Sequence, residues 1–236
     1  MQFTVTFYKT AAICAALSAV TTLGVHLLPK LYPTPETFEQ QLLLPTNVIY
    51  RFGLWVVFLH ILLVWISMVG LGATRVQKSA GSVAIGMLGY LLFGFSELLR
   101  TSLVMFAVNF WRAQYRLETS ETARTALRTL LSGWPQWNYQ LFFLLMLGFL
   151  IGNVCYGISL WRGCRIERIV SGALFVWALL SAAVILLNYM GQAWLGFMPE
   201  WTNWTYQPGV RLLVGIWLWR FARVQAAEPL PAVLVR

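Results

Sequence analysis

Six separate apolar stretches, near residues 10–28, 47–72, 79–111, 139–161, 169–190 and 205–221, constrain this chain more than any other feature. Crossing the roughly 30 Å of hydrocarbon in a bilayer takes about 20 residues of helix. Backbone polar groups in lipid are satisfied only in helices or closed barrels. The runs therefore predict an all-α polytopic membrane bundle of six transmembrane helices, with residues 1–236 forming a single integral membrane domain. The sixth run differs from the rest. Only 212–219 is clear of charge, so it spans only if Arg211 snorkels to an interface or faces the protein interior.

Composition agrees. Hydrophobic residues make up 59% of the chain and charged residues 11%, against roughly 25% charged in a soluble domain. All eight acidic residues are Glu, so any carboxylate chemistry falls to Glu. The net charge of +9 does not point to nucleic acid, because most Lys and Arg flank apolar runs, as membrane orientation requires. Cys14, Cys155 and Cys164 have no metal or redox spacing. The run after Lys9 lacks a small-x-small cleavage site, so it reads as a retained first helix and not a signal peptide.

Lys9, Arg75, Lys78, Arg162, Arg165, Arg168, Arg220 and Arg223 fall at one set of helix ends, and the opposite loops hold Glu36, Glu39, Glu118, Glu121 and Glu200. Positive charge collects on the cytoplasmic side, so both termini are expected in the cytoplasm, despite four Arg in the opposite loop 112–128. Thr34-Pro35-Glu36 predicts a short helix running to Leu44 and ended by Pro45. Between Ser120 and Gly133 an apolar stripe at helical spacing, with Arg124 and Arg128 on another face, predicts an amphipathic helix. It either lies on the outer membrane interface or lids the bundle. Trp134, Trp137, Trp194, Phe197, Trp201, Trp204 and Tyr206 predict an aromatic belt. Gly86, Gly89, Gly94, Gly148 and Gly152 predict close helix packing. No internal repeat supports an inverted-repeat transporter.

Ionisable residues inside a membrane are functional suspects. Glu97 lies about 25 Å into the third segment at 1.5 Å per residue, and Arg100 follows at i+3, where the two can pair. Arg51, Arg211, Asn188 and Asn109 approach the same level from other segments. One reading is an outward-facing pocket of Arg51, Glu97, Arg100, Asn188 and Arg211 for a lipid phosphate or carboxylate, which guanidinium forks suit. The other is an ion-pair cluster that fixes helix register. His60, near mid-membrane, is either a haem or pigment ligand or a neutral histidine hydrogen-bonded between helices. Paired axial ligation with His26 is not expected, since the two differ in depth by well over one turn. HExxH and GxSxG are absent, and Ser67 and Ser96 have no evident base beside them.

The strings Ser96-Glu97-Leu98-Leu99-Arg100, Ala126-Leu127-Arg128-Thr129-Leu130, Gly148-Phe149-Leu150-Ile151-Gly152-Asn153, Arg211-Leu212-Leu213 and Trp219-Arg220 resemble those of uncharacterised six-helix bacterial membrane proteins of the DUF4386-like kind. That resemblance implies a six-span bundle in a bacterial inner membrane and carries no known activity. With no catalytic set and little exposed polar mass, the leading functional expectation is a non-enzymatic accessory or assembly subunit of a larger membrane complex. The alternatives are a binder or transporter of an anionic amphiphile at the Arg/Glu pocket and, third, a cofactor-carrying subunit using His60.

Overall fold

The computed structural model describes residues 3–189 and 202–227. Every regular element among them is helical: α1 (Val5–Leu27), α2 (Phe38–Leu43), α3 (Val48–Ala73), α4 (Ala80–Ser102), α5 (Asn109–Leu117), α6 (Glu121–Trp161), α7 (Arg165–Tyr189) and α8 (Gln207–Ala227). A π-helical stretch, Leu103–Val108, joins α4 to α5 into one continuous 38-residue helix. Five helices are long and apolar enough to cross a membrane, those built on α1, α3, α4–α5, α6 and α7.

Caps set the starts. Thr4 accepts from the Phe7 amide at 3.2 Å, and Asn47 from the Tyr50 amide at 3.0 Å, each satisfying one orphan donor. The short helix expected from Thr34 begins later, at Phe38. Thr37 is its cap because Gln40, three residues on, closes a capping box with it.

Six long helices pack in a closed ring in the order α1, α3, α4, α6, α7, α8 and back to α1. Each seam has its own fit. Gly70 meets Ala11 between α3 and α1, and Gly94 meets the Trp65 ring between α4 and α3. At the α4–α6 seam backbone meets backbone: a Cβ on Gly89 would lie 2.6 Å from the Gly152 amide nitrogen, and one on Gly148 would lie 2.6 Å from the Gly89 carbonyl oxygen. The expected role of these glycines as packing residues is therefore met. Ser171 donates to the Gly157 carbonyl at 2.6 Å across α7–α6, and Tyr206 donates to the Ala173 carbonyl at 2.6 Å beside α8. α8 runs antiparallel to α1. The Tyr8 and Phe221 rings stack edge to face 4.9 Å apart, and Gly215 faces Ala12 and Ala15.

One end of the ring, the base, carries the starts of α1, α4 and α7 and the ends of α3, α6 and α8. There Arg75 is buried, donating from Nε to the Ser159 carbonyl at 2.9 Å and from Nη1 to Glu167 at 3.2 Å. One of the basic residues used to orient the chain is thus a clasp between α3 and the α6–α7 turn.

The opposite, loop end differs from expectation. The separate helix expected over 120–133 is the first part of α6, which runs 41 residues through Pro135. An interior proline removes one helix hydrogen bond and crowds the carbonyl four residues back, yet α6 continues past Pro135 to Trp161. At 1.5 Å per residue α6 is about 60 Å long, twice the hydrocarbon thickness. Its first turns pack beside α5 and α2. Phe38 meets Tyr115 edge to face at 5.2 Å, Arg128 lies 5.1 Å over Phe38, and Arg124 lies 5.0 Å over Tyr115. The arginines that marked the polar face of an amphipathic helix are therefore stacked on the rings of its neighbours. Trp194, Phe197 and Trp201 of the expected aromatic belt, and Glu200, lie outside the described residues.

Candidate functional site

All six ring helices contribute to a cavity of 380 Å³ nearer the loop end. One wall is polar and comes from α1, α3, α4 and α8: Thr22, His26, His60, Glu97, Arg100, Gln207 and Arg211. The other is apolar and aromatic and comes mainly from α6 and α7, including Phe142, Leu145, Phe149, Trp177 and Val184. Its size and mixed lining match those of small-molecule sites.

Glu97 and Arg100 pair as their i, i+3 spacing implies. Arg100 Nε donates to Glu97 Oε2 at 2.6 Å, and its Nη2 donates to Oε1, a bidentate fork that occupies both carboxylate oxygens. Arg100 Nη1 donates onward to Asn138 Oδ1 at 3.2 Å. This pair neutralises itself.

Arg211 does not. It is 3% exposed, and among the described residues its Nε and Nη1 have no hydrogen-bond partner. Its guanidinium lies 5.1 Å from the centroid of the Trp177 ring, a cation–π contact that steadies the group without satisfying its donors. Counted from the base at 1.5 Å per residue, Arg211 lies about 24 Å in and Glu97 about 25 Å. Among the described residues, the carboxylate that lines this cavity, Glu97, is already held by Arg100. A buried charge lacking a partner costs several kcal/mol, so the cavity carries an uncompensated positive charge at a fixed place.

The histidines share this cavity. His60 Nδ1 lies 2.8 Å from Thr21 Oγ1, which ties α3 to α1 and occupies one ring nitrogen. His26 lines the same cavity as Gln207, at the start of α8. Among the described residues no group of three His, Cys or Glu could hold a metal ion.

Two candidates fall elsewhere. Arg51 is exposed and lines a separate depression with Trp55, Phe106 and Asn109. It precedes His60 by nine residues, which at about 100° each places it on the opposite face of α3. Asn188 continues the α7 stripe that includes Trp177, Ser181 and Val184, but lies one turn past the cavity, exposed, where its carbonyl accepts from the Tyr139 hydroxyl. Asn109 bonds to Tyr50 and Arg112. Trp177 and Gln207 join the site unannounced. Only the fold brings the buried Trp177 ring under Arg211.

No protein-family model, curated protein or solved structure matches this chain.

Proposed function

We propose that this chain is a six-span membrane protein that binds or carries an amphiphile bearing a single negative charge, held in the ring cavity by Arg211. The observation that carries this reading is the buried guanidinium with two unpartnered nitrogens on a cavity wall. The charge class follows from the residues present. Glu97 and Arg100 cancel, leaving one fixed cation, which one carboxylate or one phosphodiester would neutralise through a fork. The apolar wall of α6 and α7 would take the hydrocarbon or ring body.

The sixth span is α8. It lies antiparallel along α1, and Gln225 near its end reaches the Phe3 carbonyl, which supports reading it as a span beside α1. Arg211 faces the cavity, which removes the objection its charge raises. The clustering of Lys and Arg at the base supports cytoplasmic termini, in a bacterial inner membrane as the resemblance implies. The accessory-subunit reading rests on composition, whereas the anion site accounts for a particular side chain.

Thermal stability of the purified protein in a neutral detergent, titrated with dodecanoate, dodecyl phosphate and dodecanol, tests this. The anionic probes raise the unfolding temperature of the native protein and dodecanol does not. Arg211→Gln abolishes the response, and Arg211→Lys keeps part of it. Equal responses to all three probes, or a full response in Arg211→Gln, would refute the reading.

A further inference from the structure

A second recess lies at the base, on the seam between the first turns of α7 and the last turns of α8. It is a groove of 620 Å³, walled by Ile166, Ile169, Trp217, Phe221 and Val224, with Arg165 and Arg220 among its lining residues. Both arginines are exposed, and neither takes part in any ion pair among the described residues. The carboxylate in the groove, Glu167, is already engaged: Arg75 donates to its Oε1 at 3.2 Å, and the Cys164 amide donates to its Oε2 at 2.7 Å. The groove therefore joins two free guanidinium groups to a strip of apolar surface, and Ile169 and Val224 are left more than half exposed.

We infer that this groove is a site for an anionic glycerophospholipid, with its phosphate between Arg165 and Arg220 and an acyl chain along the apolar strip. Three features fix the occupant. Helix ends at the base are where headgroups sit if α7 and α8 cross a bilayer. Two unpaired arginines fit one phosphodiester, and basic pockets between membrane helices hold anionic headgroups in this way. The strip beyond them is apolar, which a free phosphate would leave bare. The inference rests on the membrane reading and not on the ring cavity, whose cation lies in the opposite half of the bundle.

Cys164, exposed and lining this groove, is a built-in reporter. Cys14 is buried, so a Cys155→Ala background leaves Cys164 as the reactive thiol. The experiment follows its maleimide labelling in neutral detergent with added dioleoylphosphatidylglycerol, dioleoylphosphatidylcholine or inorganic phosphate. Phosphatidylglycerol is expected to slow labelling by up to about 30-fold, the equivalent of about 1 kcal/mol for each of the two arginines near an anionic lipid, while the other two leave the rate unchanged. The Arg165→Gln/Arg220→Gln double variant loses the protection, Arg165→Lys/Arg220→Lys retains it, and Arg211→Gln retains it in full. Equal protection by phosphatidylcholine would overturn the headgroup assignment, and equal protection by phosphate would make this a free-anion site. Protection that survives the glutamine double variant, or is lost in Arg211→Gln, would remove the groove from the account.

Discussion

The Tyr90 hydroxyl donates to Asn153 Oδ1 at 2.7 Å, a fully buried hydrogen bond across the α4–α6 seam just where Gly89 and Gly152 bring the two backbones together. Asn153 Nδ2 beside it has no partner. Tyr90→Phe removes the donor and leaves a second polar atom of Asn153 unsatisfied, which costs about 1–3 kcal/mol. Tyr90→Phe combined with Asn153→Leu is expected to recover most of that loss. Thermal unfolding of the two variants in detergent checks both, and a double variant less stable than the single one would contradict the argument.

Close approach at the same seam makes a second case. Gly89→Val places a Cβ where the Gly152 backbone already lies, 2.6 Å away. Backbone cannot move aside as a flexible side chain can, so the cost falls at or above the usual 1–3 kcal/mol of overpacking. By contrast Gly81 and Gly133, with open space around them, are expected to accept Ala with no loss. Comparing expressed, folded yield of the three variants separates them.

The Glu97–Arg100 fork predicts strong asymmetry. Glu97→Gln leaves the partly exposed Arg100 with a neutral partner and is expected to destabilise the protein by less than the about 3–5 kcal/mol of a fully buried broken pair. Glu97→Leu together with Arg100→Leu removes both charges and should lie close to the native protein. Were the double variant as damaged as Glu97→Gln, the pair would have a role beyond neutralising itself.

Arg211 predicts the opposite sign. Because Nε and Nη1 are unpartnered in a buried place, Arg211→Met removes an uncompensated charge and keeps an unbranched stem against Trp177. The ligand-free protein is expected to gain about 1–3 kcal/mol while losing its response to anionic amphiphiles. A fall in ligand-free stability would instead identify Arg211 as a lock between helices.

Much of this was legible from residue spacing. Glu97 and Arg100 announced their pairing by lying three apart, and Arg211 announced its depth by its place in a run otherwise fit to span. Other features depended on rotation about a helix axis or on neighbours distant in sequence. Arg51 and His60 share α3 but face opposite ways, and Arg51 lies about 13 Å further from the base at 1.5 Å per residue, so neither rotation nor depth brings it to the cavity. The helix expected to end near Gly133 runs on through Pro135 into the membrane segment, leaving α6 unbroken. Arg75 carries the charge of an orientation signal but is buried on Ser159 and Glu167, partners more than eighty positions away. The weak hydropathy of α8 comes from charges at specific positions, one of which, Arg211, points inward.

The length of α6 has a mechanical consequence. One continuous helix carries Phe142 and Phe149 on the cavity wall, the stacked Arg124 and Arg128 at its far tip beyond Pro135, and the Trp161 turn at the base. A helix about 60 Å long that tilts about its base acts as a lever: a tilt of about 5° carries the tip through about 5 Å. An adjustment of the cavity wall too small to disturb the core would be magnified into a displacement of the arginine–aromatic stack outside it.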